Sequence, residues 1–143
     1  MWRDTLRGWR AFALFFFIFI AVLEFLEVIG DAFAFFDLTT YAQFGGIPPE
    51  MEAQRLTSLI ILSTAITFAA AATAYSIWSN KIWTVRAGTV CGITLVLYAM
   101  YQILSALFIL NVNTFGVMFA GAVFGVFGLL SIWLVRRGTR GTK

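Results

Sequence analysis

The chain has 143 residues, 61% hydrophobic and 12% charged, with a formal net charge of +3 and a mean hydropathy of +0.89. A soluble domain carries about 25% charged residues, so water is not its main solvent, and four spans of roughly 20 apolar residues would use nearly all of the chain as a single domain with no soluble catalytic part. Histidine is absent and Cys91 is the only cysteine, which excludes imidazole metal sites, bis-histidine haem, histidine bases, an internal disulfide and a thiolate cluster.

The first predicted span, about 11–36, follows Arg3, Arg7 and Arg10 and opens like a signal peptide. Its apolar run continues through Leu23, Phe25, Leu26, Val28 and Ile29, longer than a signal sequence requires, so a retained span is expected. An outer loop over 37–55 contains Gly45-Gly46 and Pro48-Pro49, a turn signal, and then Glu50 and Glu52 in the first turn of a helix. The second, third and fourth spans are predicted at about 56–78, 83–110 and 115–135, joined by very short connections. Such connections make neighbours antiparallel, with spans two and three forming one hairpin and three and four another. The expected fold is therefore all-α, a polytopic antiparallel four-helix transmembrane bundle.

A faint internal repeat lays Leu26-Glu27-Val28-Ile29-Gly30 on Tyr101-Gln102-Ile103-Leu104-Ser105, and Ser76-Ile77-Trp78 on Ser131-Ile132-Trp133. It would make the bundle a duplicated two-helix unit.

Arg3, Arg7, Arg10, Lys81, Arg86, Arg136, Arg137, Arg140 and Lys143 all fall on one side of these spans, leaving Arg55 opposite. The positive-inside rule makes that side cytoplasmic, with both termini there, in a multi-pass protein of the cell membrane. Trp2, Trp9, Trp78, Trp83 and Trp133 fall at the same interface, where indole rings prefer to sit. The positive charge is thus read as topological, and no nucleic-acid partner is expected.

Glu24, Glu27 and Asp31 carry the most information about function. The spacing i, i+3, i+7 puts three carboxylates within about 60° of one helical face. An acidic side chain at a span's centre costs about 2.5 to 3.5 kcal/mol on insertion scales, so such groups normally face protein or water. Arg55 is the one cation on that side, and one arginine cannot neutralise three acids; the group should titrate as a coupled set. Tyr98, Tyr101, Gln102 and Ser105 on span three, and Thr57, Ser58, Ser63, Thr64 and Thr67 on span two, reach similar depths. Their phenol, amide and hydroxyl groups suit a polar pocket holding a proton or cation, with Tyr98, Tyr101 and Gln102 donating to the carboxylates. The alternative is that Glu27 and Asp31 simply lie at headgroup level, with only Glu24 held in hydrocarbon by a hydrogen bond from a neighbouring helix.

Gly121 and Gly125 form a small-xxx-small pair on span four, for which the alanines at 69–72 of span two are the natural partner within the chain. The phenylalanines of span one, Phe12, Phe15, Phe16, Phe17 and Phe19, surround that helix and suit lipid or subunit contact.

Two short stretches, Glu27-Val28-Ile29-Gly30 and Ala74-Tyr75-Ser76-Ile77-Trp78-Ser79, resemble parts of the small multidrug resistance transporters, in which a first-span glutamate exchanges protons for cationic drugs. The likeness covers about ten residues. Here the glutamate lies late in a longer span and the tryptophan closes a span instead of opening one, so no residue role is carried across.

These features lead first to a non-enzymatic accessory or self-associating membrane subunit, acting as a homo-oligomer or within a larger complex, since no catalytic motif, metal set or cofactor motif is present. The alternative is a small proton- or cation-coupled transporter or channel that uses the acidic face. The two differ in whether Glu24 faces the bundle interior.

Overall fold

The four apolar runs fold as four long helices, with a short fifth one between the first two. The computed structural model describes residues 8–139. Within these the order is α1 (Trp9–Phe36), α2 (Leu38–Gly45), α3 (Pro49–Trp78), α4 (Thr84–Phe108) and α5 (Thr114–Thr139). The long helices, α1, α3, α4 and α5, are each apolar and long enough to cross a bilayer, and only 28% to 44% of each span's most apolar stretch is buried. Large apolar side chains therefore remain on the outside all round the bundle, as with Phe15, Phe68 and Phe115, the pattern of a protein solvated by lipid. The chain is a small integral membrane protein with an all-α bundle.

The helices form a four-cornered arrangement. α1 packs closely on α3 and α4 packs closely on α5; α3 against α4 and α1 against α5 close the ring more loosely, leaving α1 and α4 across one diagonal. The hairpin expected from spans two and three is thus the looser contact. A short turn makes neighbours antiparallel, but close approach needs small residues, and these lie between α4 and α5. A Cβ on Gly92 would stand 2.6 Å from Gly128 O, one on Gly128 would stand 2.7 Å from Gly92 O, and Gly88 abuts Val135. Gly121 lies against Ala99 O and Ile103, and Gly125 against Ala99. The partner of that glycine pair is α4, not the alanines of α3. Pairing α1 with α3 and α4 with α5 also groups the spans as the faint repeat does.

The segment expected as an outer loop carries a helix of its own. Asp37 caps α2, its Oδ1 accepting from Thr40 N at 3.4 Å, and Gly46, at φ +65°, ends it in a left-handed turn that a side chain would strain. Pro49 then opens α3 at a position where a missing N–H costs nothing, so α3 starts seven residues before the predicted second span. α2 is pinned to the α4–α5 turn. Asn111 N and Val112 N donate to Gly45 O, Asn111 Nδ2 to Gly46 O and Asn113 Nδ2 to Phe44 O, all between 2.6 and 3.1 Å. These bonds tie one end of the bundle together.

The opposite end is basic and aromatic. Arg10, Lys81, Arg86, Arg136 and Arg137 gather there with Trp9, Trp78, Trp83 and Trp133; Trp2, Arg3, Arg7, Arg140 and Lys143 lie outside the described residues. The Arg137 guanidinium sits 5.3 Å from the Trp9 ring and 5.0 Å from the Trp133 ring, while those indoles meet edge to face at 5.3 Å. This cluster fastens the start of α1 to the end of α5. Arg10 Nη2 donates to Ile77 O at 2.6 Å, covering a carbonyl at the C-terminal end of α3.

Candidate functional site

Helix α1 turns its three carboxylates inward. Glu24 has no exposed surface, and Glu27 and Asp31 are half-buried, stepping toward the α2 end of the bundle. Glu24 is enclosed by protein, as expected, and Glu27 is reached by Tyr98 from across the bundle instead of lying free at headgroup level. Its neighbourhood is supplied by other helices: Ser63 of α3 and Cys91 and Tyr98 of α4 are all within electrostatic reach and fully buried. The Ser63 hydroxyl is adjacent to Glu24, yet no hydrogen bond of acceptable geometry joins them, and both carboxylate oxygens of Glu24 are without a partner.

Glu27 is held from across the bundle. Tyr98 Oη donates to Glu27 Oε1 at 2.7 Å, and Gln102 Nε2 donates to Tyr98 Oη at 2.9 Å. The donors run in one direction, amide to phenol to carboxylate, and they span the diagonal from α4 to α1. Tyr98, Gln102 and Ser105 lie at i, i+4, i+7 on the buried face of α4. Tyr101 does not join them; it is half-buried on the flank, within electrostatic reach of Arg55. Its expected bond to a carboxylate is not made.

Arg55 bonds to none of the three acids of the stripe. Its Nε and Nη2 donate to Glu52 Oε2 and Oε1 at 2.8 and 2.7 Å, a bidentate pair within one helix turn of α3. Asp31 lies within its electrostatic reach but no ion pair joins the two, and Asp31 Oδ2 is unpartnered. The sequence reading overlooked Glu52 as the partner of Arg55. The signal was there, since i, i+3 spacing on a helix places opposite charges side by side.

The hydroxyls of α3 contribute less than expected. Thr57, Ser58 and Thr67 donate to carbonyls of their own helix, at Ala53, Gln54 and Ser63; Ser63 is the one that faces the carboxylates. Seven buried side-chain oxygens among the described residues have no hydrogen-bond partner: two of Glu24 and one each of Glu27, Asp31, Ser63, Gln102 and Ser105. Five can only accept, and the other two are hydroxyls. The interior therefore has many acceptors and few donors, an environment that attracts protons or cations.

The carboxylates do not converge into a cage. Among the described residues no group of three or more His, Cys, Asp or Glu side chains is placed to hold a metal ion. Seven residues of helix separate Glu24 from Asp31, about 10 Å, so the acids form a line of single sites. Toward the basic end the line of acids stops, and the core is filled by Phe17, Ile20, Ala13, Leu14, Leu134 and Val135, with the buried hydroxyls of Thr73, Ser76 and Ser131 bonded back to their own helices.

No protein-family model, curated protein or solved structure matches the chain significantly. The resemblance to small multidrug resistance transporters thus rests on its two short stretches and carries no argument.

Proposed function

We propose that the protein is a small proton- or cation-coupled membrane carrier, with Glu24 as its central binding group and Glu27 and Asp31 as steps leading to it. The observation that carries this reading is the complete burial of Glu24 with neither carboxylate oxygen hydrogen-bonded. Retaining an acid there works against folding and insertion, and intramembrane acids of this kind mark ion and proton pathways.

The line of acids favours a proton or a singly charged cation over a divalent metal, which wants several oxygens at once. Its one-sidedness favours a carrier over an open channel. The acids lead from the α2 end to the middle of the bundle, while the apolar core closes the way to the basic end. Passage then requires a second conformation in which that core opens. The pairing of α1 with α3 and α4 with α5 supplies two bodies able to rock against each other at their looser contacts.

Charge asymmetry supports placing the basic end in the cytoplasm and the α2 end outside a cell membrane. The accessory or self-associating reading draws on the phenylalanine-covered outside of α1, which lipid contact explains equally well. The deciding experiment is reconstitution in liposomes with an imposed pH gradient, comparing proton flux for the wild type and Glu24→Gln. Flux in the wild type that is lost in the variant supports the carrier. No flux in either, with a protein that co-purifies stably, overturns it in favour of the accessory subunit.

A further inference from the structure

A second built site lies at the opposite end of the bundle from the acids. The start of α1, the α3–α4 turn and the end of α5 enclose a cavity of about 380 Å³, at the lower end of the range for small-molecule sites. Arg10 and Lys81 line it, and among the described residues no carboxylate does. Arg10 is fixed at the wall by its bond to Ile77 O, which uses one of its five N–H donors and leaves the charge in place.

Two further features give the cavity an anion's chemistry. Thr84 and Val85, the first residues of α4, line it, and no side chain caps that helix N-terminus, so the positive end of the helix dipole adds to the two cations. Asn80, held at φ +53° in the turn, supplies a neutral amide at the rim. The remaining wall is apolar: Ala13 and Leu134 are buried and Ile82 is wholly exposed at the edge.

We infer that this cavity binds the phosphate-bearing headgroup of an anionic phospholipid, with the acyl chains leaving along the apolar wall. A cationic pocket between transmembrane helices, at the level of the tryptophan belt, matches the chemistry by which such headgroups are held. A free phosphate shares the anionic chemistry, but it has no use for the apolar side.

The test uses the full-length protein in detergent, with bound lipid counted by native mass spectrometry and thermal unfolding followed as lipid is added. Phosphatidylglycerol, phosphatidylcholine and water-soluble glycerol phosphate are compared on the wild type, Arg10→Gln, Lys81→Gln and Arg86→Gln. One tightly held phosphatidylglycerol is expected, with phosphatidylcholine bound weakly. Lys81→Gln should weaken it about fivefold, one cation's worth, and Arg86→Gln, whose side chain is outside the cavity, should leave it unchanged. Equal binding of the two lipids, equal weakening by Arg86→Gln, or equally tight binding of glycerol phosphate would each overturn the inference. Should Arg10→Gln unfold through loss of its bond to Ile77, Lys81→Gln still decides.

Discussion

The phenol of Tyr98 on α4 and the carboxylate of Glu27 on α1 meet at 2.7 Å across the diagonal of the bundle. Most helix contacts here run between ring neighbours and are apolar; this one passes through the centre and is polar. It links α1 to α4, and the amide of Gln102 donates to the same phenol from behind.

Tyr98→Phe removes that bond and strands two buried groups, Glu27 Oε1 and Gln102 Nε2. The expected cost is about 1 to 3 kcal/mol of stability, because a polar group left unsatisfied in the interior bears its desolvation penalty in full. Denaturant unfolding in micelles, followed by circular dichroism, measures it. A change below about 0.5 kcal/mol, the level of an ordinary surface substitution, would mean that water replaces the phenol without loss.

Arg55 and Glu52 form a pair on α3 in which Glu52 is 1% exposed. Glu52→Gln leaves the guanidinium without its carboxylate and should cost about 3 kcal/mol, while replacing both residues, as Glu52→Gln with Arg55→Met, should recover much of it. A double-mutant cycle reads this as a positive coupling. In Glu52→Gln the freed Arg55 has Asp31 as its nearest unsatisfied acid, so the single variant should also reduce flux through a carrier that uses Asp31.

The α4–α5 contact predicts a contrast between two similar substitutions. Gly92→Ala drives a methyl to within 2.6 Å of Gly128 O, backbone that cannot yield cheaply, whereas at Gly125 the added carbon meets Ala99 Cβ at an ordinary 3.5 Å. The first should cost about 1 to 3 kcal/mol, as overpacking does, and the second almost nothing. Unfolding of the two purified variants side by side checks the pair, and equal losses would show that these glycines serve something other than this contact.

The spans, their number and the acidic face were legible because each rests on a property of one segment: apolar length, charge bias, or a spacing on a single helix. The inward turn of Glu24 was foreseen as one of two options, since a carboxylate needs company and span three offered Tyr98 and Gln102 at the right depth. The partner choices were less legible. Arg55 had several acids within reach by depth, and only the geometry of one turn of α3 hands it to Glu52 in place of Asp31. Tyr101 and Tyr98 differ by three residues, enough rotation to put one phenol on the flank and the other in the centre. Helix α2 went unseen because an eight-residue helix carries little periodicity, and its stability comes from Asn111, Asn113 and Val112 some 65 residues away in sequence.

Glu24 offers the sharpest separation of function from folding. A carboxylate that is completely enclosed, with only the Ser63 hydroxyl beside it and no well-formed hydrogen bond, opposes the folded state, because it has left water for little in exchange. An amide of the same shape carries no charge and brings two donors toward an interior that holds mainly acceptors, with the unpaired Ser63 Oγ beside it. Glu24→Gln should therefore raise stability, by about 1 to 2 kcal/mol, while abolishing flux; this is the trade expected where a strained group is kept for its activity. Glu24→Leu removes the acid but brings no donor, so the same acceptors stay unpaired, and it should stabilise less than the amide. The measurement is thermal unfolding of the three proteins at one pH in one detergent, alongside liposome flux. A loss of stability in Glu24→Gln would mean that the carboxylate is already satisfied by water or a bound cation in the resting protein. A gain in stability with flux intact would remove Glu24 from the pathway.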